Sequence, residues 1–574
     1  MRTRTYGGDA GGNPRGFPLC EFAKDASCDY IRGRGLVRYC MQLTVKKMNL
    51  YLTLNKAITQ WPKNEAIVDG DKRFTYEQFG ERVSALANFL VDSGYQKGCV
   101  VAVLCPNGHE LMEIYYACAI TGIILNPINF RLSPVEVSII LNDSEAVALF
   151  LHSDFQECAS KSLPSASTIK QVITFGAAKF ADLGVPAVDF ETSMRPHSGK
   201  HMPVADVGFE DLAQLYYTSG TTGKAKGVML SHKNVCLNAL GAVTELNLSD
   251  DDTWMHIGPM FHLADAWSIW AVTWAGGKHT FAAYFKAEEV LKTLSKEKVT
   301  ICAMVPTMVN ALLHHPDQKK HDYSKLRMIM TAGSPIAPEQ VKGILQGFNC
   351  DYMQFYGMTE TSPFLTVSTP KAHLRSLPED KLLELKSKTG RPFIAVEVKV
   401  VKEDGTEVKN DDTEVGEIIA RGPVVFSGYW KQPETTAATL IDGWIHTGDM
   451  AVVDSEGYIN ICDRKKDMII TGGENVYSTE VEYALYEHGS VLECAVLGVP
   501  DDKWGEAVKA IVVLKQGQQV EADELIQFVR ERLGRFKAPQ SVDFMQELPK
   551  TGSGKIFKKG LRDKYWAASA KKVN

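Results

Sequence analysis

At 574 residues the chain is too long for a single hydrophobic core, so two or more domains are expected. Apolar residues make up 45% and charged residues 23%, an ordinary globular balance, and the formal net charge of −6 argues against a general nucleic-acid binder. No apolar run approaches the roughly eighteen residues of a membrane span. The longest, Ile114 to Leu125, is broken by Thr121 and Gly122, so no transmembrane segment is expected, while peripheral membrane contact stays open.

Residues 1–47 carry nine Lys/Arg against four Asp/Glu and show no sustained periodicity. They read as a leader, either disordered or a targeting extension, or as an over-extended start before Met48. The last residues, Ala570-Lys571-Lys572-Val573-Asn574, are not a peroxisomal S-K-L ending. The expected compartment is the cytoplasm, or a mitochondrion or plastid if residues 1–47 are a transit peptide. The twelve cysteines contain no C-x-x-C pair and suggest neither a zinc site nor a disulfide framework.

From there, short apolar runs alternate with longer amphipathic ones. Strands are expected at Val100 to Cys105, Ala146 to Leu151, Gln171 to Phe175, Leu212 to Tyr217, Thr300 to Val305, Leu326 to Thr331 and Tyr352 to Phe355. A helix is expected over Glu77 to Val91, where Phe79, Val83, Leu86 and Leu90 share a face. That alternation predicts an α/β chain with largely parallel, layered sheets. From about Gly390, Val396 to Val401 and Glu417 to Ala420 read as strands of a small antiparallel, barrel-like piece. After Arg464 a small α+β unit follows, with helices at Thr479 to Tyr486 and Asp523 to Leu533 and strands at Glu493 to Leu497 and Ala507 to Leu514. The predicted domains are 48–462 and 464–574, parted at the charged segment Asp463-Arg464-Lys465-Lys466-Asp467.

The stretch from Tyr217 to Gly227 holds three glycines, four aliphatic hydroxyls and two lysines in eleven residues. A glycine loop leaving a strand can turn backbone N–H groups toward an anion, while hydroxyls and lysine supply further donors. It is not the G-x-x-x-x-G-K-[ST] fingerprint, because Ala225 follows Gly223-Lys224 and Thr218 occupies the first glycine position. It therefore predicts a triphosphate cradle of another kind.

Further motifs follow in order: Phe261-His262, Gly333-Ser334-Pro335, Tyr356-Gly357-Met358-Thr359-Glu360, Gly416-Glu417, Gly428-Tyr429, Gly443-Trp444, Thr447-Gly448-Asp449, Asp463 to Asp467, Gly472-Gly473-Glu474-Asn475 and Lys550 to Lys555. Together they resemble the adenylate-forming superfamily over roughly residues 50–565, with Gly473 to Tyr477 and Pro500 to Glu506 most similar to fatty-acyl-CoA synthetases. The resemblance implies ATP, magnesium and coenzyme A. It implies that a fatty carboxylic acid of medium to long chain is activated as acyl-AMP with loss of pyrophosphate, then transferred to the coenzyme thiol. The alternatives it leaves are an aryl-CoA ligase and a free-standing adenylation enzyme that serves a carrier protein. Monomer and homodimer both stay open.

By the same resemblance, Thr218, Ser219, Gly220, Thr221, Thr222, Gly223, Lys224 and Lys226 bind the β- and γ-phosphates. Glu360, with Thr218, holds magnesium. Gly333, Gln354, Tyr356, Gly357 and Thr359 border the nucleotide. Asp449 grips the ribose hydroxyls, with Arg464 and Lys466 beside it. Gly472 and Gly473 flank the coenzyme tunnel. Lys555 meets the α-phosphate and the attacking carboxylate, and Asp463 is the hinge of a mobile C-terminal domain. His262 covers the adenylate carbonyl. Ile257, Met260, Phe261, Leu263, Ala264, Trp267 and Trp270 are expected around the acyl group, an apolar lining that favours a fatty or aromatic acid over a dicarboxylate. Amino-acid adenylation domains carry aspartate at the His262 position, which disfavours amino acids, although Asp265 stands close by.

Overall fold

The computed structural model describes residues 49–177, 180, 182–219, 225–552 and 554–567. The leader, and Gly220 to Lys224 of the glycine-rich loop, lie outside them. Among the described residues the chain forms four sheets. A seven-stranded sheet runs in the order Ala187–Asp189, Gln171–Phe175, Ala148–His152, Val100–Leu104, Ile124–Pro127, Leu212–Ser219, Ala225–Ser231. All its pairings are parallel except the last, the hairpin that carries the glycine-rich loop. Val100–Leu104 is buried along its whole length, as a parallel strand covered on both faces requires.

A nine-stranded sheet supplies the platform of the site. Thr253–His256, Ile301–Met304, Met328–Thr331 and Asp351–Gly357 lie side by side and parallel. Their carboxyl ends therefore open on one edge, where ligands bind in sheets of this kind. Helices cover the faces because their sequences are capped and striped for it. Tyr76–Asp92 begins at a reciprocal Thr75/Gln78 capping box and buries Phe79, Val83, Leu86 and Leu90; His232–Glu245 begins at the same device, Ser231/Asn234.

A five-stranded antiparallel sheet (Glu397–Val401, Gly416–Arg421, Leu440–Ile441, Trp444–Val453, Ile459–Arg464) forms the barrel-like piece. The C-terminal lobe has its own core around Ile469, Val481, Val496, Val512, Leu525 and Val529. Its sheet pairs Val491–Asp501 with Gly505–Leu514, and the helices Ser478–Tyr486 and Ala522–Arg530 match the expected pair. Among the described residues no helix is long and apolar enough to cross a membrane.

Candidate active site

Lys555 sits on a tight turn of the small lobe. Thr551 N–H donates to the Lys555 carbonyl at 2.7 Å and Gly554 N–H to the Thr551 carbonyl at 2.9 Å, with Gly554 at φ +85°. Three large-lobe side chains hold this lobe by its backbone. Thr307 Oγ1 donates to the Gly554 carbonyl at 3.0 Å, Asn310 Nδ2 to the Leu492 carbonyl at 3.0 Å, and Arg131 Nη1 to the Gly552 carbonyl. The lysine stem passes so close to Gly333 (φ +88°) that a Cβ there would lie 2.4 Å from Lys555 Cε. Gly333 thus meets both the backbone and the spatial need for glycine.

Burial pushes the Lys555 ammonium down to about 8; Arg464 repels it further and Asp449 partly offsets this. His262 caps the helix Leu263–Ala275 by accepting the Ala264 N–H on Nδ1 at 3.2 Å. The proton of the neutral ring is then on Nε2. Burial, with Lys555 nearby, lowers His262 to about 3, so it is a neutral donor at ordinary pH.

Asp449 anchors a second cluster. Its Oδ2 accepts the Tyr356 hydroxyl at 2.7 Å, and its Oδ1 lies 3.2 Å from Arg464 Nε, its cross-strand partner. Burial and Asp449 both raise the Tyr356 phenol well above its usual value, keeping it a donor. Gln354 is buried, accepts from Tyr352 and donates Nε2 to the Ser334 carbonyl at 3.3 Å, which ties the strand to the Gly333 loop. Gly357 has no room for a side chain: a Cβ would stand 1.6 Å from the Pro363 carbonyl oxygen. Lys466 is exposed, its ammonium lowered by partial desolvation and by Arg464.

Thr359 and Glu360 are buried on the turn after that strand. Glu360 Oε1 accepts the Tyr429 hydroxyl at 2.8 Å, and Lys226 Nζ lies 4.9 Å from the centre of the Tyr429 ring. Burial raises the Glu360 carboxyl, while Tyr429, Lys226 and Arg464 pull it back. Thr218 and Lys226 face each other across the hairpin. Gly220, Thr221, Thr222, Gly223 and Lys224 fall outside the described residues, as does the side chain of Ser219.

A narrow cavity opens beside Lys555 and His262. It is lined by Gly258, Pro259, Ala264 and Asp265 and by Ala303, Met304, Val305, Met308 and Ala332, which lie at or just past the carboxyl ends of two parallel strands or in the helix Pro306–Leu313. Of the apolar residues expected here, only Ala264 lines it. Trp267 and Trp270 are buried elsewhere, Trp267 edge-on to Trp254 and Phe364 and Trp270 edge-on to Tyr115 and Tyr116. They fill the core beneath the helix because a thirteen-residue helix turns most of its face away from any one cavity. The Ala303-to-Val305 and Ala332 walls were missed. Their signal was positional: each lies at or just past the carboxyl end of a parallel strand and so reaches the open edge.

Gly472 and Gly473 are not gathered into this site. They form the exposed two-residue turn between Ile469–Thr471 and Glu474–Val476, at φ +61° and +88°, the mirror-turn geometry that glycine favours. Asp463 is buried; its Oδ2 accepts the Ser478 N–H at 2.6 Å.

Residues 54–430 match the model of the AMP-binding enzyme family, and residues 480–555 that of the AMP-binding enzyme C-terminal domain. The chain is 36% identical over 520 residues to a feruloyl-CoA synthase of an Amycolatopsis species, covering 89% of this chain and 99% of that protein. It is 34% identical to a fatty acid–[acyl-carrier-protein] ligase of Streptomyces coeruleorubidus, covering 89% and 96%. Among solved structures it resembles an anthranilate CoA ligase in complex with anthranoyl-AMP, with a TM-score of 0.85 at 26% identity, covering 92% and 99%. The chain belongs to the AMP-binding, adenylate-forming family. As an enzyme it is an AMP-forming acid ligase.

Proposed function

We propose that the chain is an acyl-CoA synthetase that activates an apolar monocarboxylic acid with ATP and passes the acyl group to coenzyme A. The observation that carries this reading is the placement of one half-buried ammonium, Lys555, between the apolar cavity and the Asp449–Tyr356–Arg464 cluster. A nucleotide gripped at the ribose by Asp449 presents its α-phosphate toward Lys555. The ammonium then meets the attacking carboxylate and the phosphoryl oxygens together, where charge builds up as the acyl–phosphate bond forms and pyrophosphate leaves. His262 Nε2–H is a second, neutral donor on the same cavity. Thr218 to Gly223, with Lys224 and Lys226, hold the β- and γ-phosphates.

Magnesium suits the residues present: a buried carboxylate oriented by Tyr429 is a hard oxygen donor of the kind this ion takes together with waters. Glu360 and Thr218 would hold it, and the ion would neutralise phosphate charge.

The cavity walls hold methionine, valine and alanine, and Lys555 is their one cation among the described residues, so a second carboxylate on the acid finds no partner among them. Both a fatty and an aromatic acid meet that condition; the feruloyl-CoA and anthranilate relatives favour the aromatic one. For the second step the lobe 464–574 turns about Asp463, withdrawing Lys555 and bringing the exposed Gly472–Gly473 turn to the coenzyme path. Measuring AMP and pyrophosphate release over benzoic, cinnamic, short and long fatty acids, with and without coenzyme A, tests the reading. Acid-dependent AMP release that rises with coenzyme A supports it. No AMP with any acid overturns it, and AMP release indifferent to coenzyme A points to a carrier-protein acceptor.

A further inference from the structure

Beyond the end of the strand Val100–Leu104 stands Asn107, a buried side chain that the adenylation chemistry does not use. Its carboxamide meets four main-chain groups. Nδ2 lies 2.8 Å from the Gly258 carbonyl, 3.1 Å from the Ala282 carbonyl and 3.3 Å from the His256 carbonyl, and Oδ1 accepts the Met260 N–H at 2.8 Å. Carbonyls around one end and an N–H at the other fix which end is the NH2. His256 ends the strand Thr253–His256, and Ala282 follows the strand Lys278–Phe281. One side chain of the seven-stranded sheet thus closes onto the carboxyl ends of two strands of the nine-stranded sheet.

Gly258 and Met260 flank Pro259, and Gly258, Pro259 and His262 all line the cavity. Proline has no N–H, and the Pro259 carbonyl accepts the His262 N–H at 2.9 Å, which turns the loop back toward its helix. The Asn107 carboxamide pairs with the residues on either side of Pro259 as a peptide group of a neighbouring strand would. Met260 is held through its carbonyl as well, which accepts the Tyr115 hydroxyl at 2.8 Å; Tyr115 is buried, its hydroxyl 2.9 Å from that of Tyr216. These bonds are made where an unpaired group is costly, so they hold the loop to one arrangement.

We propose that Asn107 is a positioning residue for acid selection: it acts through the loop, holding Gly258 and Pro259 as a fixed cavity wall and, through the Pro259–His262 turn, placing the His262 donor. This rests on the acid-ligase reading of the cavity. A fixed apolar wall discriminates by shape, one methylene being worth about 10–200-fold. With the hold removed, the loop yields to acids that the wild type rejects and grips the preferred acid less well. The Asp449–Tyr356–Arg464 cluster draws on none of these bonds, so ATP recognition is left alone.

The test compares wild type with Asn107→Ala in pyrophosphate release from benzoic acid, cinnamic acid and fatty acids of stepped chain length. The readout is the ratio of kcat/KM between the wild type's best acid and each of the others, taken on one enzyme sample so that the fraction of folded protein cancels. In the variant the ratios should fall toward one by about 10-fold, chiefly through KM for the best acid, while KM for ATP stays within about 2-fold. A purely structural asparagine would lower every acid together; unchanged ratios therefore overturn the inference and leave the ligase reading standing. So does a KM for ATP that rises as much as that for the acid. Tyr115→Phe, which removes the hold on the Met260 carbonyl with little change of shape, should move the same ratios in the same direction by about 3–10-fold. If Asn107→Ala does not fold, Tyr115→Phe decides alone. If no acid releases pyrophosphate from the wild type, the ligase reading itself fails and this inference with it.

Discussion

Thr307 Oγ1 donates to the carbonyl of Gly554 at 3.0 Å, one residue before Lys555. With Asn310 on the Leu492 carbonyl and Arg131 on the Gly552 carbonyl, it means the large lobe grips the small lobe through main-chain oxygens. These bonds belong to the arrangement that presents Lys555, and the lobe rotation proposed above requires them to break. Each is worth about 1 kcal/mol net. Thr307→Val combined with Asn310→Ala should therefore slow acyl-AMP formation about 5–30-fold, read as ATP–pyrophosphate exchange. Thioester formation from supplied acyl-AMP should be unchanged or faster. Equal loss in both half-reactions would mean that these contacts only stabilise the fold.

Gly333→Ala should be far more damaging than a one-methyl change suggests. The backbone is at φ +88°, and the added carbon would meet the Lys555 stem at 2.4 Å. Either the loop shifts or the ammonium is displaced, and a misplacement near 1 Å can cost on the order of 10²-fold. The expected result is a loss of that order in adenylation with a thermal midpoint lowered by only a few degrees. Near wild-type exchange would contradict the close approach.

The pH dependence follows from Lys555 and not from His262. Lys555 is held down to about 8, so it is cationic below that pH and neutral above it. In kcat/KM for ATP, adenylation should fall as pH rises through about 8. Bound triphosphate favours the ammonium, so the same limb should lie higher in kcat. His262, at about 3, stays neutral and adds no limb near neutrality. A profile flat to pH 10 in kcat/KM would contradict the assignment.

Tyr356→Phe removes the hydroxyl that fixes Asp449 Oδ2 at 2.7 Å. ATP should bind about 3–10-fold more weakly, because the carboxylate is no longer held in place by its neighbour, while KM for the acid stays the same. Asp449→Ala should cost more than 10²-fold in kcat/KM for ATP. Titration of ATP binding by calorimetry measures the first, and initial rates of pyrophosphate release against ATP concentration the second.

Much of this was readable in the residues. The parallel strands announced themselves as short apolar runs because both faces are covered, and the expected Gln171 to Phe175 matches the observed strand end for end. Asp449 and Tyr356, which the family resemblance singled out from separate motifs, meet at 2.7 Å. The cavity wall was not readable. Trp267 and Trp270 share the helix with Ala264, and helical spacing alone does not say which face meets the cavity and which the core. Asn107 reaches Gly258 and Met260 across 151 and 153 positions, so only packing brings them together. Lobe contacts such as Thr307 with Gly554 span 247 positions and leave no local trace.

The most direct measurement is the rate of each half-reaction in Lys555→Ala. If the small lobe brings this ammonium to the nucleotide for the first step alone, ATP–pyrophosphate exchange should fall by ~10²–10³-fold. Conversion of supplied acyl-AMP to thioester should stay within a few-fold of wild type. Exchange that persists in the variant, or equal losses in both steps, would contradict the account.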